Sequence, residues 1–219
     1  MKGFRPQPPA SPGAGKTLSS KRVYEELRRA ILHGDFAPGT SLGETQVGEW
    51  LGVSRTPVRQ AFGELLNQGI LEEGARRQVM VARPSADLLA EIMLMREALE
   101  PVLARRAAGR LDVSEVDQLR LIMIRARRAV DAGDADAFLD CDDDFHLHIP
   151  HALRHQIAED TLRRLRGLTR LAVRETAGDE AVLRRVAAEH DAVIEALAAG
   201  DADAAAAAMA AHLAASAPY

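Results

Sequence analysis

The chain has 219 residues, a formal net charge of −4, 47% hydrophobic and 4% aromatic residues, and a single cysteine. That length suits one large or two modest globular domains. The lone Cys141 excludes an internal disulfide and fits a reducing, cytoplasmic compartment. No apolar run is long enough to span a membrane, and MKGFRPQPPASPGAGK lacks the apolar core of a secretory signal, so no membrane partner is expected.

The charge is unevenly spread. Residues 1–84 hold 12 Lys+Arg against 8 Asp+Glu, and residues 85–219 hold 16 against 24. A basic front and an acidic back suggest a polyanion-binding module joined to a second domain. Residues 1–17, rich in Pro, Gly and Ala, read as a disordered tail.

From there the elements follow in order. Ser19 or Ser20 can cap a helix through KRVYEELRRAILHG, with Val23, Leu27, Ala30 and Ile31 on one face and Gly34 as its stop. DFAPGTSL reads as a Pro-Gly turn. ETQVGEWLG is a short helix. After Gly52, Ser54 can cap a third helix, TPVRQAFGELLNQG, with Pro57 in its first turn and Val58, Ala61, Phe62, Leu65 and Leu66 on its buried face. ILEEGARRQVMVA has the pattern of two short strands around a Gly-containing turn. Beyond Pro84 long helical patterns take over, about 85–109, 112–132, 134–153, 156–177, 179–199 and 201–216, broken at Gly109, Gly133, Gly178 and Gly200. The fold class is mainly α: a winged helix-turn-helix over 18–83, then an all-helical bundle over 84–219.

In a winged helix-turn-helix, the second helix of the pair lies in the major groove and its first residues reach the bases. Ser54, Arg55, Thr56 and Arg59 occupy that position, with the two arginines at i and i+4 on one face. Arginine grips a guanine edge or a phosphate with two bonds, and hydroxyls beside free helix N–H groups suit phosphate oxygens. Arg76 and Arg77 sit at the hairpin tip, where a wing touches the DNA backbone or minor groove.

PGTSLGETQVGEWLGVSRTPVRQAFGELLNQGILEE resembles the DNA-binding domain of GntR-type bacterial transcription regulators, and the helical domain resembles the FCD type of the FadR branch. The resemblance spans about residues 18–216. It implies a homodimer on a palindromic double-stranded operator, with Ser54, Arg55, Thr56 and Arg59 at the base and phosphate contacts. Two positions depart from it. Thr45 stands where many relatives carry arginine, and Gln78 stands where the wing usually has glycine.

The histidines are the second informative feature. Asp142 and His146 are i and i+4 on one helix face. His190 lies ten residues before Gly200 and His212 twelve after it, so at ~1.5 Å per residue they stand at nearly the same height in a helical hairpin. One carboxylate and three imidazoles converging in a bundle core suit a divalent metal. The resemblance implies the same four ligands, since Asp142, His146, His190 and His212 fall where metal-binding FCD domains place theirs. Zn²⁺ leads as the ion, with Ni²⁺, Mn²⁺ and Fe²⁺ as alternatives. Asp143, i−3 from His146, is the fallback carboxylate. His148, His151 and His155 point largely away from His146. They form a solvated face or, through His151 and His155, a second site, and Pro150 predicts a kink beside them.

Arg96 matches the family's arginine on the first bundle helix, which faces the effector cavity. There it would clamp a small carboxylate against the metal. The alternative is a surface pair with Glu100 at i+4. The resulting expectation is a ligand-responsive transcription regulator, a repressor by the family's habit, and not an enzyme. Two alternatives stand beside it: a regulator for which the ion itself is the signal, and a metal-dependent hydrolase.

Overall fold

The computed structural model describes residues 19–75, 77–173 and 179–215. The chain divides into two compact units between Pro84 and Ser85.

In the first unit, α1 (Ser20–Leu32) starts where the Ser19 side chain accepts a hydrogen bond from the Arg22 amide, and it buries Val23, Leu27, Ala30, Ile31 and Leu32. This face packs on α3 (Arg55–Asn67), whose Val58, Ala61, Phe62 and Leu65 are buried. Between them α2 (Glu44–Leu51) ends at Gly52 in the left-handed conformation, φ 67°. Gly48 has a different reason to be glycine: a Cβ there would lie 2.9 Å from the Val53 carbonyl oxygen. The α2–α3 turn is therefore tight because no side chain separates the two backbones.

The hairpin strands are β2 (Leu71–Glu73) and β3 (Val79–Val81), and a third strand, β1 (Ser41–Leu42), joins them. The sheet is antiparallel in the order β1-β3-β2, with Leu42 opposite Val79 and Glu72 opposite Met80. The segment read as only a Pro-Gly turn thus also supplies an edge strand. Two residues are too few to show a period of two, and it is the burial of Leu42 that ties them to the sheet.

In the second unit, α4 (Ala86–Ala107), α5 (Val113–Asp131), α6 (Ala135–Ala152), α7 (Gln156–Val173), α8 (Glu180–Ala199) and α9 (Ala202–Ala215) form an all-helical bundle. Side-chain caps start five of them, from Ser85, Asp112, Asp134, Asp179 and Asp201. Gly109, Gly133 and Gly200 take positive φ in the breaks, as their sequence positions predict. The segment 174–178, read as the end of the fourth bundle helix and its break at Gly178, lies outside the described residues. The core runs through Leu103, Leu119, Met123, Phe138, Phe145, Leu162, Ile194, Met209 and Leu213. α9 packs against both α4 and α8. Its alanines keep the three helices close, so His212, one of its few large side chains, is pressed into the centre. Pro150 is buried in the last turn of α6, and the chain leaves that helix through Arg154 in the left-handed region, φ 56°.

Candidate metal centre and nucleic-acid interface

Ser54 is the N-cap residue of α3, but its hydroxyl makes no capping hydrogen bond, which leaves it available to a partner. Ser54, Arg55, Thr56 and Arg59 are all exposed, as is Thr45 in the first turn of α2. The two arginines meet on one residue that sequence reasoning missed. Glu44, the first residue of α2, accepts from Arg55 Nη2 at 3.1 Å and from Arg59 Nε at 3.1 Å. The Arg59 hydrogen bond, with Arg55 behind it, holds the Glu44 carboxyl below the usual range. Both guanidiniums are thereby held side by side above the start of the helix, about two-thirds exposed. At the wing, Arg77 is exposed and adopts φ 57°, a conformation that costs a non-glycine residue roughly 1–2 kcal/mol. The positive φ thus falls one residue before Gln78. Arg76 lies outside the described residues.

In the helical unit, His146 from α6, His190 from α8 and His212 from α9 come together with 2% exposure or less. His212 Nε2 is 3.2 Å from both His190 Nε2 and His146 Nε2. Asp142 Oδ1 lies 3.5 Å from His190 Nε2 and 3.9 Å from His146 Nε2. Asp143 is turned the other way, to Arg166 at 2.7 Å and Arg170 at 3.4 Å. Burial drives the His190 imidazole down to about 3 and that of His146 well below its ordinary value, so both are neutral at pH 7. Burial alone would raise Asp142. The Arg166 guanidinium overcomes that and holds the carboxyl below the usual range.

This arrangement fits a transition-metal ion. Two nitrogens each ~2.05 Å from a shared ion stand about 2.9 Å apart at a right angle and about 3.3 Å apart at the tetrahedral angle. The observed 3.2 Å separations lie in that interval. The three imidazoles, two of them held neutral by burial, form a nitrogen donor set for Zn²⁺ or its neighbours, with the Asp142 carboxylate 3.5 Å from one of them. Two of the three far nitrogens are tied as ligand imidazoles usually are. His146 Nδ1 meets Glu100 Oε2 at hydrogen-bond contact, and His212 Nδ1 is 2.9 Å from Glu189 Oε2. His190 lies stacked on Phe145, with ring centroids 4.0 Å apart.

Arg96 is buried and its Nε donates to Glu100 Oε1 at 2.7 Å. The alternative of a surface pair is therefore half right: the pair exists, but in the core. Spacing on one helix cannot reveal that α6, α7, α8 and α9 all pack against α4. Arg166 is the further residue that sequence reasoning missed. It comes from α7, is 5% exposed, donates to Asp142 and Asp143, and leaves Nη1 buried without a hydrogen-bond partner. Its Arg-rich helix gave no hint of which cation turns inward. His148 Nε2 lies 2.7 Å from Glu115, and His151 Nδ1 lies 3.1 Å from Glu159. Among the described residues, His146, His190 and His212 are the one group of three or more metal-type donors whose ligand atoms lie close enough to share an ion, and His151 and His155 belong to no such group.

A helix-turn-helix with a small winged sheet, followed by a helical bundle around buried histidines, defines a class of bacterial regulator. Residues 19–81 match the family of bacterial regulatory proteins, gntR family, and residues 91–215 match the FCD domain. The chain belongs to the GntR family and carries an FCD domain. It is 34% identical over 147 residues to the HTH-type transcriptional repressor RspR of Escherichia coli K12, a match covering 67% of this chain and 64% of that one. It is 27% identical over 203 residues to a probable D-xylose utilization operon transcriptional repressor of Paenarthrobacter nicotinovorans, covering 93% and 89% of the two chains. The solved structure of E. coli McbR/YncC superposes with a TM-score of 0.80 at 23% identity, over 90% of this chain and 94% of that one, and so supports the fold. The family is one of regulatory proteins, not of enzymes. Among the described residues no helix is long and apolar enough to cross a membrane.

Proposed function

We propose that this chain is a cytoplasmic, homodimeric transcription repressor whose helical unit binds a divalent ion, Zn²⁺ first among candidates, together with a small carboxylate that changes operator affinity. The single observation that carries the reading is the imidazole cluster at ligand spacing, buried in a domain attached to an arginine-headed helix-turn-helix. Repression is supported by the relatives named as repressors.

At the DNA, α3 enters the major groove. Arg55 and Arg59 reach base edges or phosphates, the Ser54 and Thr56 hydroxyls take phosphate oxygens, and Arg76 and Arg77 lie along the backbone from the wing. Two copies on a palindrome double this set. In the helical unit, Asp142, His146, His190 and His212 hold the ion, which supplies a Lewis-acid anchor for an anionic oxygen. Arg96, Arg166 and Arg170 face Glu100, Asp142, Asp143, Asp140 and Asp136, two negative charges in excess, which a divalent ion neutralises. Arg96 gives the acid a second point of attachment.

The test is elemental analysis of the purified protein combined with selection of duplexes from random DNA. The expected result is about one divalent ion per chain and a palindromic motif. Substoichiometric metal that washes out with mild chelation, or selection without a motif, overturns the corresponding half. Release of DNA by the ion alone would make the ion itself the signal.

A further inference from the structure

Two arginine–glutamate pairs lean on the histidine cluster in the same manner. On α4, Arg96 Nε donates to Glu100 Oε1 at 2.7 Å, and Glu100 Oε2 meets His146 Nδ1. On α8, Arg185 Nη1 donates to Glu189 Oε1 at 2.8 Å, and Glu189 Oε2 is 2.9 Å from His212 Nδ1. In both, arginine and glutamate are i and i+4, one carboxylate oxygen serves the arginine, and the other serves an imidazole. They differ in burial. The Arg96 and Glu100 side chains are 5% and 2% exposed, those of Arg185 and Glu189 46% and 21%. The third imidazole has no such support, since His190 Nδ1 is buried without a hydrogen-bond partner.

We propose that Glu100 is a positioning residue that couples the ion site to Arg96, and that the Arg185–Glu189 pair, built alike but exposed, does so far less. The inference rests on the ion reading above. A carboxylate that accepts from Nδ1 fixes the tautomer, aims the Nε2 lone pair at the ion and raises the basicity of the ring. Glu100 divides that service with Arg96, because its two oxygens are committed one to each. In the dry core the division is felt strongly; near water it is screened. A carboxylate ligand that draws Arg96 away leaves more of the Glu100 charge on His146 and tightens the ion. By reciprocity, the loaded ion draws Glu100 toward His146 and releases Arg96 to the ligand. Ion and acid then bind cooperatively through one side chain.

The test uses the full chain stripped with chelator. Zn²⁺ affinity is measured by competition with a chromophoric chelator, and ligand geometry by the visible absorption of the Co²⁺ form. Glu100→Gln is expected to weaken Zn²⁺ by about 10–100-fold. Glu189→Gln is expected to change it by less than about 3-fold. The discriminating readout is a double-mutant cycle: Arg96→Met shifts Zn²⁺ affinity in the native background and by less than about 2-fold in the Glu100→Gln background. The Co²⁺ spectrum should keep the band positions and intensity of the native protein throughout. Thermal unfolding of the stripped variants checks their folds. If Glu100→Gln does not fold, Glu100→Asp carries the test, expected to weaken Zn²⁺ at least about 3-fold because its carboxylate is drawn back from His146. Equal affinity of native protein and Glu100 variants, or an Arg96→Met effect that is the same in both backgrounds, overturns the coupling and leaves the ion reading standing. Failure of the native chain to bind Zn²⁺ or Co²⁺ overturns both.

Discussion

Glu44→Gln is the substitution that most cleanly probes the DNA-reading head. Glu44 neutralises part of the Arg55–Arg59 pair and holds both guanidiniums over the start of α3. Glutamine keeps the size and can still accept a hydrogen bond, but it removes the charge. Each head then presents one more uncompensated cation, two in the proposed dimer. If each engages one more phosphate, the slope of log affinity against log salt steepens by about 1.8, at ~0.9 per phosphate. Between roughly 50 and 200 mM salt that slope is worth about 12-fold in affinity. Binding of the variant to a scrambled duplex, relative to the native protein, should therefore rise at low salt and lose about 12-fold of that gain across the range. Operator binding should rise less, because the arginines lose the partner that pre-orders them for base edges, so the specificity ratio falls. Fluorescence anisotropy on both duplexes at several salt concentrations reads this directly. Stability is not a confounder, since exposed ion pairs of this kind contribute only about 0–1 kcal/mol. An unchanged salt slope with an unchanged specificity ratio would refute the idea that Glu44 restrains these arginines.

Other outcomes are equally open to measurement. Arg55→Ala should cost about 1–3 kcal/mol on the selected operator and blunt its sequence preference, read by competition with point-mutated duplexes. Gly48→Ala should destabilise the reading head by roughly 1–3 kcal/mol, because its methyl meets the Val53 carbonyl in a turn with no room to yield; a variant as stable as the parent in urea denaturation would contradict the close approach. For the ion-stripped protein, His146 and His190 are held neutral in the fold while their unfolded counterparts titrate near 6.5. The unfolded chain binds more protons below that pH, so stability is whole above 6.5 and falls as pH drops toward 3. The slope approaches about 1.4 kcal/mol per pH unit for each histidine. Thermal melts in chelator from pH 7 to 5 should therefore decline steeply, and a flat profile would show that the two imidazoles are not sequestered.

Much of this was legible in the sequence for identifiable physical reasons. Glycine positions 109, 133 and 200 and the capping aspartates at 112, 134 and 179 mark helix ends locally, so the bundle could be segmented without tertiary information. His190 and His212 could be paired because a helical hairpin about Gly200 sets equal heights by rise alone, and Asp142 with His146 because i, i+4 neighbours share a face. What escaped notice depends on contacts across elements. Glu44 touches Arg55 and Arg59 only because the α2–α3 turn folds back, and nothing in GETQ announces it. Glu100 looked like a surface partner of Arg96 because spacing on one helix does not say which neighbours cover it. Arg166 is one of several arginines on α7, and its inward turn follows from Asp142 and Asp143 on the helix opposite. The edge strand at Ser41–Leu42 is defined by its pairing with Val79 and Met80, not by its own two residues.

The central claim, that an ion-centred helical unit governs the DNA-reading head, is tested most directly by operator affinity in four states: ion-loaded or stripped, each with and without a panel of small carboxylates. The expected result is that at least one acid changes affinity by about 5–150-fold in the loaded protein and not in the stripped one. One operator affinity common to all four states, with ion occupancy verified, would contradict it.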